Sequence, residues 1–328
     1  MAVTAPDIKE IRALREQLTE QTVVTPVVRC AAIERVIGGG TQVIAKMEFL
    51  QRTGTFKARG ALATLHGLTA DQLKQGVTAV SAGNHAIAVA YAARELGATA
   101  KVVMVSSANP SRIEGCRAFG GEVVLAENVH DAFALAERIQ REEGRYFVHP
   151  FEGRSVALGT GTVGLELCEQ VDDFDALIVP IGGGGLIAGI ANAVKQLRPG
   201  CEIIGVEPEG ADSMYRSLEA GEPQAIEKVT TIADSLGAPF AMPFSFELVQ
   251  RNVNRLALVN DDELRRTMGF LFRAMKLAVE PACVASTAAL LGPLRDELRG
   301  KRVVLVMCGS NIDWDTFERQ AIFDDGID

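Results

Sequence analysis

Short apolar runs alternate with helix-patterned stretches along most of the chain, and this alternation limits the fold more than any other feature. Residues 77–80, 101–105, 122–125 and 146–148 read as strands, separated by helical patterns over 85–96, 111–119 and 131–143. The rhythm resumes with a strand over 176–181, a helix over 186–197, and strands over 202–206, 255–259 and 303–307. Helical patterns over 261–276 and 282–291 complete it. Such repetition lays helices on the faces of a parallel sheet. The predicted fold class is α/β, as two open parallel-sheet lobes sharing one cleft. Residues 1–50 and 151–328 are assigned to the larger lobe and 51–150 to the smaller, with the second boundary near Pro150 and Gly153.

Ahead of this rhythm, Ile8, Ile11, Leu14 and Leu18 recur at helical spacing, which predicts an amphipathic helix over 7–18. Thr25-Pro26-Val27-Val28 reads as extended, because proline disfavours helix in the residue before it. Gly38-Gly39-Gly40 then turns into an apolar strand over 43–50.

The 328 residues carry a net charge of −9, which argues against a nucleic-acid partner. No apolar run reaches the roughly 18 residues of a membrane span. The N-terminal residues lack the basic and apolar regions of a signal peptide. The six cysteines show no CxxC pair, so neither a zinc site nor a disulfide framework is indicated. A reduced, cytoplasmic protein is expected, assembled as a homodimer or higher homo-oligomer.

Four stretches carry chemistry. In Thr53-Gly54-Thr55-Phe56-Lys57-Ala58-Arg59-Gly60-Ala61, Lys57 stands where strand gives way to helix, among small and apolar neighbours. A lysine that loses hydration there has a lowered pKa, and its neutral amine can form a Schiff base with an aldehyde. Gly182-Gly183-Gly184-Gly185-Leu186 joins a strand to a helix, so the backbone can come close to an anion such as a phosphate. No Lys-Ser or Lys-Thr follows, which excludes a nucleotide P-loop. Ser81-Ala82-Gly83-Asn84-His85 opens a helix after a strand, offering free N–H groups and a hydroxyl to a carboxylate. Cys308-Gly309-Ser310-Asn311 ends the last strand, at the edge where parallel sheets bind ligands. By contrast Gly159-Thr160-Gly161-Thr162-Val163-Gly164 matches G-x-G-x-x-G with no clear strand before it, and is read as no dinucleotide site.

Together with Gly205-Val206-Glu207-Pro208 and Glu280-Pro281-Ala282, these stretches resemble the fold-type II, tryptophan synthase β-like enzymes that use pyridoxal 5′-phosphate. Within them the chain is most similar to the serine/threonine dehydratase and serine racemase group. The resemblance implies Lys57 as the catalytic residue and Schiff-base partner of the cofactor. It implies Gly182, Gly183, Gly184, Gly185 and Leu186 around the phosphate, Asn84 on the ring 3′-oxygen and Cys308 facing the ring nitrogen as a neutral group. Thr53, Thr55, Ser81, Ala82, Asn84 and His85 would surround the substrate carboxylate. The implied reaction is elimination of the β-hydroxyl from an L-β-hydroxy amino acid, giving a 2-keto acid and ammonia. Threonine and serine are the default substrates; 3-hydroxyaspartate and phenylserine fit the same machinery, and serine racemisation is the alternative reaction. Racemase-type relatives carry a serine where this chain has Ala82, so elimination is expected over racemisation.

Departures from the family pattern bear on specificity. Ile87 replaces a common glutamine, and Gly159-Thr160-Gly161-Thr162 replaces Gly-Gln-Gly-Thr. Relatives that bind a divalent cation, Mg or Mn, use a glutamate, a backbone carbonyl and an aspartate. Glu207 and Ala211 match the first two, but Ser213 takes the third place, with Asp212 one residue early. The chain ends soon after Asn311, so an isoleucine-responsive regulatory domain is not expected.

Overall fold

The structure, a computed structural model, describes residues 3–81 and 83–323. Its strands are β1 (Val27–Arg29), β2 (Gln42–Met47), β3 (Val77–Val80), β4 (Ala100–Val105), β5 (Glu122–Ala126), β6 (Tyr146–Phe147), β7 (Ala176–Pro180), β8 (Glu202–Pro208), β9 (Arg255–Val259) and β10 (Arg302–Met307). They form a six-stranded sheet in the order β1-β2-β10-β7-β8-β9 and a four-stranded sheet in the order β5-β4-β3-β6. Every pairing is parallel except β1 with β2. The predicted α/β class with two parallel-sheet layers is therefore the observed one, with one antiparallel edge strand added. The central strands β3 and β7 are buried along their whole length, as strands covered by helices on both faces must be. The functional stretches leave the C-terminal ends of three strands: 81–84 after β3, 181–185 after β7 and 308–311 after β10.

Two elements differ from the sequence reading. The strand predicted over 43–50 stops at Met47 and gives way to a 3₁₀ turn, Glu48–Leu50. The cause is Glu48, whose fully buried carboxylate is drawn inward to Arg59 and Thr25, while Leu50 remains exposed. The second is a 17-residue helix, Arg154–Gln170, spanning the G-x-G-x-x-G match. Glycine weakens helices in isolation, but here it lets helices touch. A Cβ on Gly159 would lie 2.3 Å from the Arg59 carbonyl oxygen, and one on Gly164 would lie 2.7 Å from that of Ile190. The motif is helix packing, not nucleotide binding. The N-terminal helix, Ile8–Gln17, is capped by Asp7 in a capping box with Glu10 and packs Ile11 against Gly161.

A buried ion network ties these helices to β2. Arg59 meets Glu48 and Glu166, and Lys46 reaches Glu166 at 2.6 Å, with every member at most 1% exposed. Two cations balance two carboxylates, which is the condition under which buried charges are tolerated. Among the described residues no helix is long and apolar enough to cross a membrane.

Candidate active site

Lys57 opens the helix Lys57–His66 at the floor of the cleft, where its ammonium donates to the Pro150 carbonyl at 2.5 Å. Loss of hydration lowers its pKa to about 8, against the opposing pull of Cys308 and Glu280. About one in ten of these amines is therefore neutral at pH 7, far more than for a solvated lysine. His85, beside it, donates Nε2 to the Val148 carbonyl and is held neutral, its pKa driven to about 3 by burial and the nearby lysine.

Opposite Lys57, residues 182–186 wall a small pocket together with Phe56, Asn84, Glu280 and Cys308. The loop admits only glycine. A Cβ on Gly183 would lie 2.3 Å from the Phe151 ring, and one on Gly185 would lie 2.4 Å from the Phe151 carbonyl. Gly184 has φ +89°, a conformation few other residues adopt. No side chain caps the following helix, Gly185–Leu197, so its first N–H groups are open to an anion. Cys308 is a buried free thiol beside the Cys283 thiol, and that contact together with burial pushes it well above the usual thiol range. It presents a neutral group. An amine, an N–H cradle and a neutral thiol on one pocket fit the aldehyde, the phosphate and the ring nitrogen of pyridoxal phosphate.

A match to the family described as "Pyridoxal-phosphate dependent enzyme" covers residues 18–309. The chain belongs to this family. It is 54% identical over 316 residues to a phenylserine dehydratase of Ralstonia pickettii, covering 96% of each chain. It is 38% identical to an L-threonine ammonia-lyase of Thermotoga maritima, over 97% of this chain and 78% of that one. Among solved structures it is similar to maize serine racemase, with a TM-score of 0.91 and 33% identity over 96% of this chain and 97% of the other. This is a pyridoxal-phosphate-dependent ammonia-lyase.

The second cavity of the enzyme, about 260 Å³, opens from Lys57 toward solvent. Ser81, Gly83, Asn84 and His85 line one side of it. Ser81 Oγ accepts from Gly83 N, closing the turn before the helix Asn84–Glu95. Ala82, expected beside the substrate, lies outside the described residues. Thr53 and Thr55 are not brought to the wall of this cavity; both are buried against the 308–311 turn. The Thr53 carbonyl accepts from Asn311 Nδ2 at 2.9 Å, and Thr55 bridges Gly309. The bridge is closed by their neighbours, with Phe56 N donating to the Cys308 carbonyl and Ser310 N to the Gly54 carbonyl.

The expected metal ligands also serve another purpose. Glu207 is buried, and its two oxygens accept from Met214 N and Tyr215 N at 3.0 and 2.7 Å. Burial raises its pKa to about 8. The carboxylate caps the helix Ser213–Ala220, with Ala211 in the turn before it. Among the described residues no group of three or more His, Cys, Asp or Glu side chains could hold a metal ion.

Sequence reasoning missed the polar cluster above Asn84. Asn84 Nδ2 donates to Glu280 at 2.8 Å and to Ser235 at 3.1 Å, and its Oδ1 accepts from Asn311. Arg112 joins through Asp234, Glu280 and the Asn311 carbonyl. Only Glu280 and Asn311 lay within recognised stretches. Phe133, Phe151 and Phe240 on the cleft wall had no sequence signal, because they come from separate loops and helices.

Proposed function

We propose that this ammonia-lyase, which eliminates the hydroxyl of 3-hydroxy amino acids, takes substrates with an aryl group on the β-carbon. Phenylserine is the type case, yielding phenylpyruvate and ammonia. The observation that carries the reading is the cleft wall: Phe133, Phe151, Phe240, Pro239, Val80 and Val105 form an apolar face beside Lys57. Its one arginine among the described residues, Arg112, is already bonded to Asp234, which disfavours a side-chain carboxylate such as that of 3-hydroxyaspartate. The name of the Ralstonia relative supports the same substrate.

In this reading the open N–H groups at 185–186 would hold the cofactor phosphate, and the neutral Cys308 thiol would face its ring nitrogen. When bound, the cofactor supplies an aldehyde for the substrate amine and a conjugated ring that acidifies Cα–H. The turn at Ser81 and Gly83 and the start of the helix Asn84–Glu95 orient the substrate carboxylate. Lys57, with its pKa near 8, takes the Cα proton as a neutral amine. The β-hydroxyl leaves as water, balanced by the proton that Lys57 took from Cα, and a second water enters to release ammonia, so the amino acid equals the keto acid plus ammonia in its atoms. Threonine and serine remain turned over more slowly.

The lobe division at 50/51 and 150/151 belongs to this reading, supported by the confinement of the smaller sheet to strands between Val77 and Phe147. So do a homo-oligomeric assembly and a cytoplasmic location, the latter in keeping with six unpaired cysteines. The test is kcat/KM for L-phenylserine, L-threonine, L-serine and 3-hydroxyaspartate side by side. Burial of a phenyl group is worth about 1.5–3 kcal/mol, so phenylserine should lead by about tenfold to a hundredfold. Equal or higher values for threonine would refute the aryl assignment.

A further inference from the structure

Arg112 is an arginine in an unusual position. It stands on the helix Pro110–Ala118, packed on the smaller sheet, yet the partners of its guanidinium all lie across the cleft. Nη1 and Nη2 form a fork on Asp234, Nη2 also reaches Glu280 at 3.4 Å, and Nε donates to the Asn311 carbonyl at 3.0 Å. Its side chain is 8% exposed. The stem lies directly over Gly83, where a Cβ would come within 2.6 Å of Arg112 Cδ. The same helix is tethered a second time through its cap, Asn109, which donates to Asp313.

We propose that Arg112 is a positioning residue: clamped across the cleft by Asp234, it fixes Glu280 and, through Glu280, the amide of Asn84. Asn84 Nδ2 lies 2.8 and 3.1 Å from the two Glu280 oxygens, so the carboxylate sets where that amide points. A displaced Glu280 leaves the Asn84 amide to Ser235 and Asn311, without the carboxylate that sets its direction in the pocket. Arg112 touches no reacting atom in this scheme.

The arrangement has a proton dependence with a defined sign. Glu280 is faced by Lys57, Arg112 and Asp234, while the neutral Cys308 thiol lies on the same pocket. Burial raises the Glu280 pKa to about 7, Arg112 and Asn84 oppose that rise, and Asp234 adds to it. Above this value the ionised carboxylate holds both Arg112 and Asn84; below it the proton weakens both contacts.

The proposal rests on the cofactor site but not on the aryl substrate, and the test separates the two. The visible absorbance of the resting holoenzyme is titrated against pH without substrate, and kcat is profiled over the same range. Arg112→Met should move the acid-side midpoint of both upward by about one pH unit or more, because the stabilising cation is gone. Arg112→Lys should return most of that shift. Asp234→Asn removes the clamp and should also move the midpoint upward, by less than Arg112→Met, because the released guanidinium holds the Glu280 charge less well. A purely structural role predicts no midpoint shift that Arg112→Lys returns. Unchanged midpoints in both variants, or a downward shift in Asp234→Asn, would overturn the proposal. If Arg112→Met does not fold, Asp234→Asn at a half-exposed carboxylate still reads the sign. Failure of the aryl reading would leave these resting titrations untouched.

Discussion

Replacing Arg59 by methionine tests how the helix that carries Lys57 is held. The guanidinium makes four contacts to two carboxylates, at 2.9 and 2.9 Å to Glu48 and at 2.6 and 2.9 Å to Glu166. It also donates to Thr162 and to the Val23 carbonyl. Arg59→Met leaves Glu48 and Glu166 facing Lys46 alone, one buried negative charge in excess. Removing one partner of a buried ion pair costs about 3–5 kcal/mol, because the survivor keeps its desolvation penalty. Urea and thermal unfolding should show a loss of that size, a fall in melting temperature of about 5–10 °C. Arg59→Met combined with Glu48→Gln restores neutrality and should lose at least about 1 kcal/mol less than the two single variants summed. The pH sign is fixed as well. Burial works to raise the Glu166 pKa, but Arg59 and Lys46 outweigh it and hold it below the usual carboxylate range. That stabilisation is present above the unfolded carboxylate value and is lost as pH falls through the lowered one. Removing Arg59 therefore weakens the variant near neutrality and flattens its acid-side decline. A loss under about 1 kcal/mol, or strict additivity in the double variant, would refute the reasoning.

Lys57→Ala should lose turnover while keeping some cofactor through the glycine cradle, and borohydride should no longer fix label to the protein; wild-type phenylpyruvate release would reject the catalytic assignment. Phe240→Ala removes a ring that stands 6.2 Å from Phe151 on the same wall of the cleft. It should cut kcat/KM for phenylserine about tenfold and change threonine by much less, which steady-state kinetics on both substrates will decide. Gly183→Val places branched carbon where the Phe151 ring already stands, so cofactor affinity measured by equilibrium dialysis should drop at least about tenfold. Unchanged affinity would move the phosphate away from this loop.

What was legible in the chain was local. The apolar run of β7, the four glycines after it and the apolar helical pattern that follows lie within 176–197, and each can be read from neighbours in sequence. Lys57 stood out only with the other stretches that carry the family resemblance, since a lysine between strand and helix is common. Nothing local marked Arg154–Gln170, because its glycines oppose helix formation until the Arg59 and Ile190 backbones lie against them. Thr53 and Thr55 were named through the family resemblance, and only the fold showed them lying against the 308–311 turn. Glu207 stood in a ligand-like place, and only the fold put two N–H donors on its oxygens.

The sequence by itself determined the strands and the glycine turn after β7, because strand period, turn chemistry and glycine sterics act over a few residues, while Lys57 as the amine and 182–186 as the phosphate loop followed from the family resemblance. The tertiary structure alone decided the aromatic wall and the Arg112–Glu280–Asn84 chain. Those groups are separated by up to 196 residues in the Asn84–Glu280 contact. Their chemistry depends on burial and on charges brought within about 3 Å, and neither quantity exists until the two sheets close on one cleft.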